Sequence, residues 1–389
     1  MRTVLLTEIA EKIDYGVTAS AEESPVGPKF LRITDIQDDT VDWGAVPYCK
    51  ASQRQAKDAA LKRGDIVFAR TGATTGKSYL IGECPEGAVF ASYLIRVRPS
   101  NEIDPGYLAR YFQSAGYWAQ IASKANGAAQ PGVNASKLSE LEIPLPPLPE
   151  QQRIAAILDQ ADALRRLRRQ SLSKLDDLLS AKMTHIIQSE RPSMSPMPLS
   201  DYFESIRIGP FGSLLHKSDY VEGGVPLINP MHIRAGRIIA NPAYSVNENK
   251  AAELARYRLM TGEIIMGRRG EMGRAANVRP EHEGYLCGTG SMVLRINQKF
   301  ADAEFMTDFL ASPVVVSALG QAAGGVTMAN LNTSSLAKIF LPVPALDDQY
   351  KYLKLKFAVD RKGDPARKSL SIFDSLFTSL QHRAFRGEL

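Results

Sequence analysis

Two loops of this sequence combine arginine, glycine and hydroxyl groups in a pattern that suits contact with phosphates and base edges. The first spans residues 68–72 and carries Arg70, and the second spans residues 266–270 and carries Arg268. In each, a predicted strand runs into arginine and then into a glycine turn that exposes backbone N–H groups. Such groups bind phosphate oxygens, and a guanidinium also binds guanine. Solvated β-turns with ordinary surface arginines explain the same residues, so both interpretations stay open here.

The first of these loops partly resembles a nucleotide-binding motif. Residues 72–78 read Gly-Ala-Thr-Thr-Gly-Lys-Ser, with three residues between the glycines where a P-loop needs four. The second loop lacks the lysine-serine ending. Nucleotide hydrolysis is therefore not expected. Residues 241–244, Asn-Pro-Ala-Tyr, miss one proline of the amino-methyltransferase motif and are interpreted as a turn.

No other residues suggest an active site. The histidines are scattered, without a carboxylate or cysteine at metal-ligand spacing, so no metal site is expected. Ser213 and Ser291 lie in no nucleophile elbow. These observations favour a binding subunit over an enzyme.

Composition is that of a soluble globular protein, with 44% hydrophobic and 23% charged residues in a chain of 389. Cys49, Cys84 and Cys287 are odd in number and far apart, which is typical of a reducing cytoplasm. The sequence predicts neither a signal peptide nor a membrane span. A net charge of +5 permits nucleic-acid binding without establishing it.

The elements that must position both loops occur twice. At an offset of 198 residues, Gly64 matches Gly262 and Gly72 matches Gly270, and further pairs extend over some eighty residues. The first copy predicts strands at residues 31–33, 65–69 and 91–97 and a helix at residues 105–122. The second predicts strands around residues 262–266 and 292–296 and a helix at residues 303–318. A chain of two similar units suits a bipartite target.

Each copy ends in prolines and then in one long amphipathic helix. The first helix is predicted at residues 150–187 and the second at residues 348–385, each about 57 Å long at 1.5 Å per residue. Gly363-Asp364-Pro365 predicts a kink or break in the second, because proline clashes with a continuing helix. Residues 165–169, rich in arginine, are either a nucleic-acid stripe or a solvated face, and the solvated face is favoured. We expect the helices to pair antiparallel rather than to fold back separately.

The junction at residues 145–154, Leu-Pro-Pro-Leu-Pro-Glu-Gln-Gln-Arg-Ile, resembles that of type I restriction–modification specificity subunits. Residues 209–214, 223–229 and 379–389 extend the resemblance over nearly the whole chain. It implies a non-catalytic DNA-binding subunit of mixed α/β fold, with two tandem target-recognition domains separated by an antiparallel coiled coil. The expected boundaries are residues 1–148 and 191–345 for the domains and 149–190 and 346–389 for the helices.

The resemblance also implies partners and roles. Double-stranded DNA, two methyltransferase subunits and two restriction subunits are expected to bind, with S-adenosylmethionine, ATP and Mg²⁺ belonging to those subunits and no cofactor to this chain. The alternative is a protein-interaction scaffold that binds no DNA. The residues expected to contact DNA are Arg70, Thr71, Thr74, Thr75, Lys77, Gln130, Asn134, Lys217, Arg268, Arg269, Arg274 and Asn332. The residues expected at the helix pair or a partner are Gln151, Ile154, Ile157, Leu164, Leu175, Leu178, Gln349, Leu353, Phe373, Leu376 and Leu380.

Overall fold

The computed structural model of the chain describes residues 2–125, 132–188, 197–323 and 330–389. Contacts divide the chain into two compact units. Unit 1 comprises Met1–Arg169 with Lys368–Leu389, and unit 2 comprises Gln170–Arg367. Each unit therefore contains one copy of the repeat together with parts of both long helices.

The first repeat is built on an antiparallel sheet. Its strands are β1 (Arg2–Leu5), β2 (Ala10–Tyr15), β3 (Phe30–Leu31), β4 (Ile36–Gln37), β5 (Thr40–Val41), β6 (Ile66–Ala69), β7 (Ser78–Leu80), β8 (Val89–Phe90), β9 (Leu94–Pro99) and β10 (Glu142–Leu145). Its helices are α1 (Gln53–Asp58), α2 (Pro105–Tyr111), α3 (Ala115–Ala125), α4 (Ala135–Ser139) and the long α5 (Leu148–Gln188). The central sheet has the order β2-β9-β6-β7, and Ile66 lies opposite Val97 and Leu80.

The second repeat has the same central sheet. Its strands are β11 (Met197–Pro198), β12 (Phe203–Ile208), β13 (Tyr220–Val221), β14 (Val225–Ile228), β15 (Ile233–Arg234), β16 (Arg237–Ile238), β17 (Ser245–Val246), β18 (Ile264–Gly267), β19 (Ala275–Asn277), β20 (Leu286–Cys287), β21 (Ser291–Ile296) and β22 (Phe340–Leu341). Its helices are α6 (Glu248–Glu253), α7 (Ala303–Ala311), α8 (Pro313–Ala323), α9 (Thr333–Leu336) and the long α10 (Leu346–Ala384). The order β12-β21-β18-β19 repeats that of the first sheet, so the predicted tandem α/β organisation is confirmed.

Each sheet has a hydrophobic core on both faces, because side chains alternate along a strand. In β6, Ile66 and Phe68 belong to one core and Val67 belongs to the other. In β18, Ile264 lies in one core and Ile265 in the other. Sheets covered on both faces hold their strand ends rigidly, and the arginine loops begin at those ends.

The helices predicted after the sheets are each divided. The helix expected at residues 105–122 is α2 followed by α3, and the Ser114 hydroxyl accepts a hydrogen bond from the Tyr117 amide at 3.3 Å in the new first turn. The helix expected at residues 303–318 is α7 followed by α8, bent by 70°, and Pro313 starts the second piece. Continuous helices were therefore the wrong prediction. Among the described residues, no single helix is long and apolar enough to cross a membrane, although this bent pair meets that test by length and composition.

The two long helices run antiparallel in unit 1. Near the start of α5, the Arg153 guanidinium donates to the Leu389 carbonyl oxygen at 2.8 Å. Further along α5, Arg165 bonds Asp374 at 2.7 Å and lies over the Phe377 ring. Ile154 of α5 and Phe377 of α10 are both buried in the core of the first repeat. In unit 2, Met183 of α5 lies in the core of the second repeat.

An interhelical ion pair recurs at the repeat offset. Arg169 bonds Asp374 in unit 1 at 2.7 Å, and Arg367 bonds Asp176 in unit 2 at 3.3 Å. Each residue of the first pair has its equivalent in the second.

Burial opposes ionisation of Asp162, but Arg110 and Arg166 hydrogen bonds keep its pKa below the usual value.

The predicted apolar seam is partly wrong. Leu164, Leu178 and Leu376 are exposed by 56%, 48% and 51%. Ile154 is buried, whereas the other apolar residues predicted for the pair are partly buried: Ile157, Leu175, Leu353, Phe373 and Leu380. Leu172 and Phe377 are buried instead. In unit 1, Arg165 takes one position of the seam, because its guanidinium lies over the Phe377 ring.

A kink or a break was predicted at Gly363-Asp364-Pro365. The break is wrong, since α10 continues through Pro365, and the kink stays a prediction. Proline fixes φ near the helical value and removes one backbone donor, so a long packed helix can retain it at a cost in stability. Gly363 lies under the Arg367 side chain, and a Cβ there would be 2.9 Å from the guanidinium. The missing side chain gives Arg367 room to reach Asp176 and Asp360.

Candidate nucleic-acid interface

The first arginine loop is a compact turn between β6 and β7. The Ala69 amide donates to the Lys77 carbonyl oxygen, and the Gly76 amide donates to the Ala69 carbonyl oxygen, both at 2.9 Å. The Thr75 hydroxyl donates to the Gly72 carbonyl oxygen at 2.7 Å. Gly72 has a φ of 84°, which favours glycine. Because the turn joins two strands and no helix follows it, the rejection of a P-loop agrees with the geometry.

Arg70 leaves this turn as an exposed cation. Its amide donates to the Tyr93 carbonyl oxygen at 3.1 Å, and its carbonyl oxygen accepts from the Val133 amide at 3.0 Å. Its guanidinium lies 5.1 Å from the centre of the Tyr15 ring. Among the described residues, Arg70 forms no ion pair. A fixed backbone with an unneutralised, ring-supported guanidinium is suited to an anionic ligand.

The other predicted contacts of the first repeat surround Arg70 unevenly. Thr71 forms an isolated bridge with Gly132 and is exposed, as is Lys77, whereas Thr74 is partly buried. Asn134 is exposed, and its side chain caps α4 by accepting from the Lys137 amide at 2.8 Å. Gln130 lies outside the described residues. Thr71 and Lys77 are thus exposed in the same loop as Arg70, while Asn134 already has a structural role.

The second loop keeps the backbone pattern and changes the side chain. The Arg268 amide donates to the Gly290 carbonyl oxygen, and the Leu331 amide donates to the Arg268 carbonyl oxygen, both at 2.9 Å. The Arg268 side chain, however, is 7% exposed and donates through Nε to the Leu331 carbonyl oxygen at 3.1 Å. Burial lowers the pKa of this guanidinium, and Arg269 lowers it further. The prediction that Arg268 faces DNA is corrected, because its guanidinium is used inside the domain.

Arg269 takes the exposed position in the second loop. It follows Arg268 directly and forms an isolated bridge with Asn330. Arg274 is half-buried, bonds Glu271 at 3.0 Å and donates to the Pro230 carbonyl oxygen at 3.2 Å. Lys217 is exposed in a short 3-10 turn, and Asn332 caps α9. Of these predicted contacts, Arg269 and Lys217 are exposed cations without an ion pair in the described part of the chain.

A cleft beside Arg70 was not predicted from the sequence. It has a volume of about 460 Å³ and is lined by residues that include Arg32, Arg70, Thr71, Phe30 and Tyr93. Tyr93 is 70% exposed. The sequence placed Tyr93 inside a strand, whereas β9 begins one residue later, so Tyr93 lies in the turn. Strand boundaries cannot be placed to within one residue, so the position of Tyr93 in the turn was not predictable from the sequence.

The equivalent space in the second repeat is occupied by Pro230. A Cβ at Gly290 would lie 2.9 Å from Pro230 Cδ, and one at Gly267 would lie 3.2 Å from Pro230 Cβ. Gly290 is the equivalent of Tyr93, since each carbonyl oxygen accepts from the loop arginine. The two repeats therefore present differently shaped surfaces at the same end of their equivalent sheets.

Gln151 and Gln349 belong to the domains rather than to a partner surface. Gln151 accepts from the Asp104 amide at 2.7 Å and donates to two carbonyl oxygens, and it is 1% exposed. Gln349 repeats this arrangement with the Asp302 amide at 2.8 Å and is fully buried. Their prediction as helix-pair or partner residues is corrected, because each glutamine fixes the start of its helix to its own domain.

The described residues contain no group of histidine, cysteine and carboxylate side chains that could hold a metal ion. Burial raises the pKa of Cys287 to about 12, so its thiol stays protonated. Exposed guanidinium, ammonium and hydroxyl groups on rigid loops can bind a polyanion.

The chain matches the family described as "Type I restriction modification DNA specificity domain" over residues 3–176 and again over residues 198–364. It belongs to this family. It is thus a DNA specificity subunit, whose role is recognition rather than catalysis.

Relatives and a solved structure match this chain over nearly its full length. The subunit is 26% identical to the putative type I restriction enzyme MjaX specificity subunit of Methanocaldococcus jannaschii, covering 99% of this chain and 92% of that protein. It is also 26% identical to the EcoKI specificity subunit of Escherichia coli K12, covering 92% and 82%. The fold is similar to that of the type I S subunit from M. genitalium, with a TM-score of 0.54 and 15% identity over 99% of this chain and 96% of that one.

Proposed function

We propose that each domain of the subunit reads one half of a bipartite DNA site. The observation that carries this proposal is the recurrence of one sheet order with an arginine loop at the same strand end. Arg70 with Thr71 and Lys77 serves the first half-site, and Arg269 with Lys217 serves the second. The proposed domains are residues 1–148 and 191–345, and the helices at 149–190 and 346–389 form the spacer.

The paired helices fix the gap between the half-sites. The antiparallel contacts in unit 1 and the ion pair repeated in unit 2 support a stiff spacer. If both domains meet one face of the duplex, the half-site centres lie about one helical turn, or 34–36 Å, apart. The site then contains a fixed stretch of unspecified bases.

Two methyltransferase subunits dock on the helices. Leu178 and Leu376 are equivalent in the repeat, and each is about half exposed, so one apolar position is offered twice. An exposed leucine at equivalent positions suits two copies of one partner. Two restriction subunits complete a restriction complex. S-adenosylmethionine, ATP and Mg²⁺ act in those partners, and the complex works in the cytoplasm.

The test is the methylated-adenine map of cells that express this chain with its methyltransferase subunit. We expect one discontinuous sequence with a constant gap. Inserting one heptad into both helices adds about 10 Å, and the gap should widen by about three base pairs. A continuous recognition sequence, or a gap that ignores the insertion, would overturn the proposal. Absence of any sequence-dependent methylation would favour a scaffold without DNA specificity.

A further inference from the structure

The cleft of the first domain contains an aromatic residue held in an unusual setting. Tyr93 is 70% exposed, yet its backbone is fixed on both sides. Its carbonyl oxygen accepts from the Arg70 amide at 3.1 Å, while the neighbouring Ser92 amide donates to the Val17 carbonyl oxygen at 2.9 Å. An aromatic ring presented on a rigid turn loses little entropy on binding and offers a large contact area.

The rest of the cleft suits a nucleotide unit of DNA. Its floor includes the buried ring of Phe30, and its walls carry the hydroxyl groups of Thr18, Thr34 and Thr71. Arg70 provides an exposed cation at one side. Arg32 also lines the cleft, where Asp35 holds it through bonds of 2.7 and 3.1 Å, and that contact keeps the Arg32 pKa above its ordinary value. Apolar, hydroxyl and cationic groups together match base, sugar and phosphate.

The second domain cannot use the same residue. Gly290 stands where Tyr93 stands in the first domain, and Pro230 fills the space that a side chain would need. Asn229 replaces Arg32, since each directly follows the equivalent strand and begins a 3-10 turn. The equivalent surfaces therefore differ in shape and in charge, although the sheets beneath them agree.

We propose that Tyr93 is a specificity-determining residue of the first half-site, whose ring contacts a base while Arg70 holds the adjoining backbone. The two domains then read their half-sites with residues that are not equivalent. This inference rests on the proposed function and names the residue that selects a base in one domain. Because Tyr93 projects from the surface, its replacement should leave the fold intact.

The experiment compares wild-type, Tyr93→Ala, Tyr93→Phe and Phe340→Ala subunits, each assembled with the methyltransferase subunit. The probes are duplexes that carry the bipartite site of the wild-type complex with one base pair changed at a time. Phe340→Ala is the matched control, since it removes an aromatic ring 59% exposed in the second domain. Thermal unfolding and gel filtration check folding and assembly.

We expect Tyr93→Ala to lose about 10-fold or more of the discrimination at one base pair of the first half-site. The second half-site, the assembled complex and the control should be unchanged, and Tyr93→Phe should keep most of the selectivity because it keeps the ring. An unchanged base profile, an even loss at both half-sites, or failure of Tyr93→Ala to bind the methyltransferase would overturn the inference. A wild-type complex without a bipartite preference would instead overturn the proposed function.

Discussion

Arg70 and Arg268 occupy the same place in the two repeats, and a sequence cannot tell them apart. Each directly follows a buried strand and precedes a glycine turn. The difference arises from contacts distant in sequence: Arg70 lies over Tyr15, whereas Arg268 donates to Leu331. Strand ends are predictable from alternation, but side-chain direction depends on tertiary partners. The loops and the exposed Arg70 and Arg269 were therefore predictable, and the burial of Arg268 was not.

This difference predicts opposite effects of replacing the two arginines. Arg70→Ala and Arg269→Ala should weaken DNA binding, with a flatter salt dependence if the lost contact is to phosphate or with relaxed specificity at one base if it is to guanine. Arg268→Ala should instead lower the free energy of unfolding by about 1 kcal/mol, because it removes a buried hydrogen bond. Salt titrations of DNA binding and urea unfolding measure the two effects. Unaltered stability together with a lost base preference in Arg268→Ala would contradict the burial of this side chain.

The buried glutamines make a second prediction at the residue scale. Gln151→Leu should lower the free energy of unfolding by about 1–3 kcal/mol, because the Asp104 amide and two carbonyl oxygens lose a buried partner. Gln349→Leu should do the same. Gln152→Leu is the matched control, since that neighbouring side chain is exposed. Equal stability of Gln151→Leu and Gln152→Leu in guanidinium unfolding would show that the hydrogen bonds of Gln151 do not stabilise the fold.

Helices α5 and α10 were predictable because their apolar residues recur at spacings of three and four, although Gly363-Asp364-Pro365 wrongly predicted a break in α10. Their seam was predictable only in part. Arg165 lies over Phe377 at 4.2 Å and takes a position that an apolar count assigns to leucine. A long arginine stem covers apolar surface, and Asp162 and Asp374 balance the charge of the Arg165 guanidinium. Periodicity therefore locates the helices better than it identifies the buried residues.

The observed seam predicts which leucine matters for stability. Leu172→Ala should cost about 2–5 kcal/mol, because Leu172 is 8% exposed. Leu178→Ala should change stability by less than about 0.5 kcal/mol, since Leu178 is 48% exposed, and should weaken methyltransferase binding. Chemical unfolding and titration with the methyltransferase subunit separate the effects. A larger loss of stability in Leu178→Ala than in Leu172→Ala would restore the seam predicted from the sequence.

Pro365 predicts a gain in stability on replacement. Pro365→Ala should raise the free energy of unfolding by up to about 3 kcal/mol, because alanine restores a helical donor and removes a steric clash. Pro313→Ala is the control, as that proline starts α8, where no donor is needed. Differential scanning calorimetry compares the variants. A lower melting temperature for Pro365→Ala would mean that the proline shapes the helix pair favourably.

Across the whole molecule, the repeat offset predicts architecture far better than chemistry. Arg110 of α2 bonds Asp159 of α5 at 2.7 Å. In the second repeat Asp308 of α7, the equivalent of Arg110, bonds Lys356 of α10, also at 2.7 Å, and Lys356 directly precedes Phe357, the equivalent of Asp159. In the first repeat the domain helix carries the positive charge and the long helix the negative one, and in the second repeat these charges are reversed. In both repeats the domain helix meets the long helix at a similar place, but the two repeats use different side chains for the contact.

The last residues of the chain predict a local effect on the first domain. The Phe385 ring packs edge-on against Tyr107 and Tyr111, with centroids 5.4 and 5.2 Å away. Phe385→Ala should therefore destabilise unit 1 by at least about 1 kcal/mol and leave unit 2 unaffected. Hydrogen exchange of α2 against α7 measures this difference, with the exposed Arg386→Ala as control. Uniform protection in both units would contradict a local role.

The attachment of α10 to the first domain also sets an order of events during synthesis. The ribosome makes the first domain early, but Phe377 and Ala384, which lie in its core, emerge only after the second domain has been made. Until they emerge, that core lacks part of its apolar surface, whereas the second domain receives Met183 from a helix already made. Domains usually fold in the order in which they leave the ribosome. In this subunit the domain made first is completed last, so a stalled or shortened translation product carries an unfinished first recognition domain.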